Sequence, residues 1–77
     1  MKINIGLYRH YKGNFYQVIG LAKHTETLDI VVVYQGLYGD YDLFVRPYQM
    51  FIESVEYEGN IVPRFKFLNE NLSEIKT

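Results

Sequence analysis

Short runs typical of β-strands follow one another along almost the whole chain, and this pattern constrains the fold more than any other feature. Residues 6–11 and 15–24 flank the turn Lys12-Gly13-Asn14, which predicts a hairpin. Residues 28–35 are β-branched and apolar on both faces, as expected of a central strand. Gly20 lies inside the second of these runs, where a lone glycine indicates a bulge or a sharp bend.

The middle of the chain predicts a loop, a short strand and a single helical turn. A loop rich in glycine and aspartate covers residues 36–42, and a strand over 43–46 follows it. Pro47 ends this strand because proline cannot donate a ladder hydrogen bond. The letters RPYQMF then predict one helical turn, with Met50 and Phe51 pointing inward.

The last third of the chain predicts one more hairpin and a tail. Residues 51–57 and 61–67 are expected to pair about the turn Glu58-Gly59-Asn60. Residues 69–77 are polar and weakly patterned, which predicts either a frayed C-terminal tail or one loose helical turn.

Five or six short strands with one helical turn predict an all-β fold, a small and strongly curled antiparallel barrel of the SH3-like type. An OB-like barrel is the alternative, although it usually needs more residues and a proper helix. We expect a single domain over residues 1–77 with its barrel core over 6–67. The chain has no cysteine, so its eight tyrosines and five phenylalanines must supply the core that a disulfide framework would otherwise support.

Net charge and hydropathy limit the classes of partner. A net charge of −1 argues against a dedicated nucleic-acid binder, whose domain is normally basic. The longest apolar run, Ile30–Tyr34, is too short to span a bilayer, and the first five residues do not resemble a signal peptide. We therefore expect a cytoplasmic protein without a membrane partner. It would be a monomer, or a weak homodimer if the strand over Ile30–Tyr34 is an uncovered edge.

The residues that could carry catalysis are few. Ser54 lies inside a predicted strand and far from any histidine in the sequence, so it is a poor candidate for a nucleophile. His10 and His24, with Glu26, match no known spacing of metal ligands. The loop that follows Gly36 lacks the lysine and the helix of a phosphate-binding loop. We predict no catalytic residue, no metal site and no cofactor.

Several polar residues allow both a structural and a ligand-binding interpretation. His10 and Arg9 point to opposite faces of the first strand, so one of them must face the barrel interior. It could be a satisfied structural group, with His10 bonded to the backbone or Arg9 paired with a carboxylate such as Glu53. Arg46 and Arg64, each beside a proline, could tie down a turn or present a guanidinium fork to a carboxylate or phosphate.

Two tyrosines, Tyr38 and Tyr41, lie in the predicted loop rather than in a strand. Such rings could form a groove for an extended peptide, or they could cover one end of the barrel.

Five motifs in this order resemble the small bacterial family called domain of unknown function 1653: YRHYKGNFY, AKHTETL, VVYQGLYG, FVRPYQMF and VPRF. The resemblance runs from about Gly6 to Phe67 and implies an SH3-type barrel without an established activity. The family usually has tryptophan where this chain has Phe44, and commonly arginine where it has Gln35. The second difference removes a cation and weakens any anion site at that position.

Polar and aromatic residues inside these motifs form the predicted binding site. We expect several of them to converge on one end or groove of the barrel: Arg9, His10, His24, Glu26, Tyr34, Tyr38, Arg46 and Arg64. Arginines flanked by tyrosine rings suit a carboxylate or a phosphate. The favoured function is a non-catalytic module that recognises a peptide, a protein or a small anionic ligand. The alternatives are binding of a nucleotide or single-stranded nucleic acid, and a small enzyme or accessory subunit with His10 and His24 as acid–base groups.

Overall fold

The computed structural model describes residues 1–69, which form seven strands and one short helix. The elements in chain order are β1 (Gly6–His10), β2 (Phe15–Lys23), β3 (Ile30–Gly36), β4 (Leu43–Pro47), α1 (Tyr48–Ile52), β5 (Ser54–Tyr57), β6 (Asn60–Pro63) and β7 (Phe65–Asn69). The predicted mainly β, antiparallel fold with one helical turn is confirmed. Except for Asn69, which ends β7, the predicted polar tail lies outside the described residues.

A five-stranded antiparallel sheet in the order β4-β3-β2-β1-β7 forms most of the domain, and β5 and β6 form a separate hairpin. The register of β2 on β3 shifts between Val18 and Gly20, which confirms the predicted bulge. The prediction that β3 could be an uncovered edge is wrong, because β2 and β4 flank it on both sides. The edges of this sheet are β4 and β7.

The expected final hairpin about Glu58-Gly59-Asn60 is confirmed for β5 and β6, which pair from Ser54 opposite Pro63 to Tyr57 opposite Asn60. The expectation that its second strand continues over 61–67 is wrong, because that segment divides into β6 and β7, and the strands therefore number seven rather than five or six. Pro63 ends β6 because it has no amide hydrogen to donate. The amide of Arg64 donates instead to the carbonyl oxygen of Glu53, at 3.0 Å, and the chain turns there. Beyond this turn, β7 leaves β6 and pairs with β1.

The single turn of α1 delivers one side chain to the core. Phe51 is 1% exposed, as predicted, whereas Met50 is 45% exposed and does not point inward. A one-turn helix has room for few inward positions, and Phe51 takes the position against the sheet. Its ring stacks on Phe65 with a centroid distance of 4.1 Å and an interplanar angle of 5°.

The core lies on one side of the five-stranded sheet, here called the inner face. Its buried members are mostly aromatic and come from strands and helix alike: Tyr8, Tyr16, Val18, Val32, Tyr34, Phe51 and Phe65. The sheet curls until side chains of its two edge strands meet, since the Arg46 guanidinium of β4 lies 5.9 Å from the ring centroid of Phe65 in β7. Within residues 1–69, no hydrogen-bonded pairing joins β4 to β7. None of the helical segments described is long and apolar enough to pass through a membrane.

Candidate functional site

Arg46 is a cation on the inner face. It lies opposite Val32 in the register of β4 on β3, and Val32 is fully buried. Its Nε donates to the hydroxyl oxygen of Tyr34 at 3.2 Å, and its guanidinium lies against the ring of Phe65. Within residues 1–69, its two terminal nitrogens have no acceptor and no carboxylate pairs with it. The guanidinium is therefore held in place, half-buried and able to donate further hydrogen bonds.

His10 lies beside this guanidinium at the end of β1. Its ring is 4.9 Å from that of Phe65, and its Nδ1 accepts a hydrogen bond from the backbone amide of Lys12 at 3.1 Å. Burial lowers the pKa of His10, and the charges of Arg46, Arg64 and Lys12 lower it further. The imidazole is therefore mainly neutral at pH 7. Because Nδ1 is an acceptor, the proton of the neutral ring is on Nε2.

Arg64 has the structural role that the sequence left open. Its Nη2 donates to Oε1 of Glu53 at 2.8 Å, and its carbonyl oxygen accepts from the amide of Tyr11 at 3.0 Å. The carboxylate of Glu53 thus pairs with Arg64 and not with Arg9. The Arg64 Nε is buried without an acceptor among the described residues. Its charge contributes, after burial and the charge of Arg46, to lowering the pKa of His10.

Three tyrosines extend this site: Tyr34 contacts Arg46, Tyr16 lies 6.3 Å from the ring of His10, and Tyr38 contacts Tyr16. The hydroxyls of Tyr16 and Tyr38 are 2.9 Å apart, and the rings of Tyr16 and Tyr34 meet edge to face at 5.4 Å. Burial, with the hydrogen bond to Tyr38, raises the pKa of Tyr16 to about 12. The Tyr16 hydroxyl therefore stays neutral at pH 7 and can act as a hydrogen-bonding group.

Five of the eight predicted site residues lie together in this cluster: His10, Tyr34, Tyr38, Arg46 and Arg64. Two residues of the cluster, Tyr16 and Phe65, were missing from the prediction. Strand alternation could have found Tyr16, which shares a face with Val18. Phe65 could be placed in the cluster only from the pairing of β7 with β1, and no local sequence pattern indicates that pairing.

His24 and Glu26 lie elsewhere, in the turn between β2 and β3. The Nδ1 of His24 accepts from the amides of Glu26 and Thr27 at 3.1 and 3.3 Å, so the turn satisfies this nitrogen. Ten residues separate His24 from Asn14, which hydrogen-bonds to His10. At about 3.3 Å per residue, this is roughly 30 Å along the path of the strand. Among residues 1–69, no three histidine or carboxylate side chains are grouped so that they could hold a metal ion.

Arg9 points to the opposite, outer face of β1. It lines a cavity of about 320 Å³ together with His10, which also belongs to the cluster around Arg46. A larger concave region, of about 730 Å³, lies between the first five residues and Tyr8, Leu21 and Ile52. None of the eight predicted site residues lines that larger region.

Comparisons with known proteins agree with the architecture. The comparison with curated proteins gave no match. A crystal structure of a DUF1653 protein from Bordetella bronchiseptica is 35% identical, with a TM-score of 0.84, and the match covers 91% of this chain and 92% of that one. A family model described as "Protein of unknown function (DUF1653)" matches residues 6–67. The match covers the range over which the sequence motifs resemble this family, and the chain belongs to the DUF1653 family.

Proposed function

We propose that this protein is a non-catalytic binding module that holds a carboxylate, from a peptide or a small acid, at Arg46. The observation that carries the proposal is the half-buried Arg46 guanidinium, which Tyr34 and Phe65 hold in place. No carboxylate among residues 1–69 neutralises it. A buried or half-buried charge is costly unless it is paired, so a bound anion would supply the missing partner.

The geometry favours a carboxylate. The Nε–H of Arg46 donates to the hydroxyl oxygen of Tyr34, so the two terminal nitrogens of Arg46 are available to donate to a ligand. Two parallel N–H groups match the two oxygens of a carboxylate and give a bidentate, charge-assisted pair. The charges of Arg46 and Arg64 that lower the pKa of His10 also favour an anion beside that ring.

The positions of the two histidines support binding over catalysis. His10 is mainly neutral, and its Nδ1 is already bonded to the amide of Lys12, which leaves Nε2–H as a hydrogen-bond donor. His24 lies in the turn beyond the far end of β2. The two imidazoles therefore do not form the acid–base pair that an enzyme or an accessory subunit would use.

An NMR titration tests the proposal through the Nε–Hε resonance of Arg46. The probes are two acetylated tetra-alanine peptides, one with a free C-terminal carboxylate and one with a C-terminal amide. We expect the free carboxylate to shift this resonance saturably and the amide to leave it unmoved. The proposal is wrong if both peptides bind equally, or if inorganic phosphate binds this site more tightly than the carboxylate.

Substitutions locate the binding. Arg46→Lys keeps the charge and removes the fork, so we expect affinity to fall about tenfold or more, because bidentate pairing is lost. Arg46→Gln should abolish binding. Lys23→Gln is the matched control, since it removes one positive charge from an exposed position on β2. Equal affinities of Arg46→Gln and Lys23→Gln, both with wild-type circular dichroism, would contradict the assignment.

A further inference from the structure

Two cations on the outer face of the sheet are placed side by side. Arg9 of β1 and Lys66 of β7 are direct cross-strand partners, and both are exposed. Like charges in this position repel each other and destabilise a sheet. In the part of the chain that the structure describes, neither side chain forms an ion pair or a hydrogen bond. The Arg9 guanidinium lies 6.0 Å from the ring centroid of Phe15.

These two cations line a cavity of about 320 Å³, whose remaining lining residues are aromatic or apolar: His10, Tyr11, Tyr57, Val62 and Pro63. The rings of Tyr11 and Tyr57 meet edge to face at 5.1 Å and 67°. The ammonium of Lys12 lies 5.8 Å from the ring of Tyr11, one of these lining residues. The cavity therefore combines a cationic part with an aromatic part, within one ligand-sized space.

We propose that this cavity binds a nucleotide, with its phosphate at Arg9 and Lys66 and its base against Tyr11 and Tyr57. A phosphate monoester carries a charge close to −2 at neutral pH and matches two adjacent cations. Every base has a flat face that can stack on tyrosine, and this wall is built from two tyrosines. The site shares His10 with the Arg46 cluster but uses different cations, and it would add a second ligand to the proposed function.

The surroundings of the cavity support an anion in spite of the net negative charge of the chain. In the β5–β6 hairpin, Tyr57 lies on the same face as Val55 and as Val62, which is the cross-strand partner of Val55. Glu56 pairs with Ile61, which is 72% exposed, so this carboxylate belongs to the opposite face of the hairpin. A ligand that carries only a carboxylate would contact the two cations but would make no contact with the aromatic part of the cavity.

A titration of the 15N-labelled protein tests both halves of the ligand. The probes are adenosine 5′-monophosphate, adenosine and ribose 5-phosphate, followed through the backbone amides of Arg9, Tyr11 and Lys66. We expect adenosine 5′-monophosphate to bind at least tenfold more tightly than either fragment. Ribose 5-phosphate binding as tightly as the nucleotide would overturn the assignment of the aromatic part. The absence of shifts at 5 mM nucleotide would overturn the whole proposal.

A second arm distinguishes a free nucleotide from a nucleotide within single-stranded nucleic acid. A 5′-phosphorylated tetradeoxyadenylate that competes with adenosine 5′-monophosphate at the same amides would support the site and identify a nucleic-acid end as the source. Preference for the mononucleotide would support the site with a free nucleotide as its ligand. A tetranucleotide that binds equally well without its 5′-phosphate would overturn the role of Arg9 and Lys66 as a terminal phosphate site.

Substitutions separate this site from the Arg46 cluster. Arg9→Gln and Lys66→Gln should each weaken nucleotide binding about tenfold, and Tyr57→Leu should weaken it at least fivefold through lost stacking. Arg46→Gln and Lys23→Gln are controls that should leave nucleotide affinity unchanged. Because Arg9 and Lys66 repel each other, the Lys66→Gln variant without ligand should have a melting temperature equal to or higher than that of the wild-type protein. A lower melting temperature would show that Lys66 has a stabilising role and would contradict the proposal.

Discussion

Replacing Phe51 by alanine should remove more stability than any other single truncation in the core. Phe51 is 1% exposed and reaches the sheet from α1. It stacks on Phe65 at 4.1 Å and meets the rings of Tyr8 and Tyr34 edge to face at 5.4 and 5.3 Å. The same ring also supports the Arg46 site, since Phe65 stacks on Phe51 and also contacts the Arg46 guanidinium.

The expected loss follows from the buried area. A phenylalanine ring removes at least about 150 Å² from water, which is about 4 kcal/mol at 25 cal/mol per Å². Residual compactness of the unfolded chain reduces this value to about 3 kcal/mol, and the cavity left behind raises it again. We therefore expect a loss of about 3–5 kcal/mol in the free energy of unfolding. A domain of 77 residues has a total of about 4–12 kcal/mol, so the variant would lose a large part of its stability.

Urea unfolding followed by far-ultraviolet circular dichroism measures the loss. The matched control is Phe15→Ala, because Phe15 is 44% exposed and should lose only about 1 kcal/mol. If Phe51→Ala does not fold, Phe51→Leu provides a milder change with an expected loss of about 1–1.5 kcal/mol. A loss below 1 kcal/mol for Phe51→Ala, or equal losses for both phenylalanines, would refute the central place of α1 in the core.

Three further predictions concern single groups. The pKa of His10 lies below its ordinary 6.5 in the folded chain, so the unfolded chain binds more protons and stability should fall as the pH drops from about 6.5 through the folded pKa. His10→Asn keeps an acceptor near the Nδ1 position and should reduce this fall in urea melts; an unchanged pH dependence would contradict the prediction. Tyr16→Phe should remove the ultraviolet ionisation step near pH 12, and a step that persists would assign it to another tyrosine. Gly36→Ala places a Cβ 3.0 Å from the ring of Tyr38 and should cost about 1–3 kcal/mol. Gly20→Ala, with nothing within 4 Å of the added Cβ, should cost much less, and equal costs would contradict the steric argument.

The sequence was sufficient for most of the strands because alternation and turn residues are local signals. It also located the bulge at Gly20 and the inward side chain of Phe51. It failed at Arg64, where the chain leaves one hairpin partner for another. The strand pattern on both sides of Pro63 is the same, and only the pairing with β1, more than fifty residues earlier in the chain, distinguishes β6 from β7.

The candidate site was predictable in part for the same reason. Arg46 shares a face with Phe44, so its inward position could be predicted from alternation within β4. Its contact with Phe65 depends on how far the sheet curls, which no short segment specifies. His24 and Glu26 were included because they belong to the same set of family motifs as His10. Residues of the same family motifs need not lie close together in the fold. His24 and Glu26 follow the far end of β2, whose nine residues separate them from His10.

The pairing of β7 with β1 positions both proposed sites at once. Successive residues of a strand point to opposite faces, so Phe65 contributes to the inner cluster and Lys66 to the outer cavity. Their cross-strand partners on β1 are His10 and Arg9 in the same order. A slip of one residue in this register would move Lys66 to the inner face and Phe65 to water, and both sites would be lost together. The backbone bonds of Arg64, to Glu53 on one side and Tyr11 on the other, oppose such a slip. The two sites therefore depend on one structural feature, although each can be removed separately by a substitution among its own side chains.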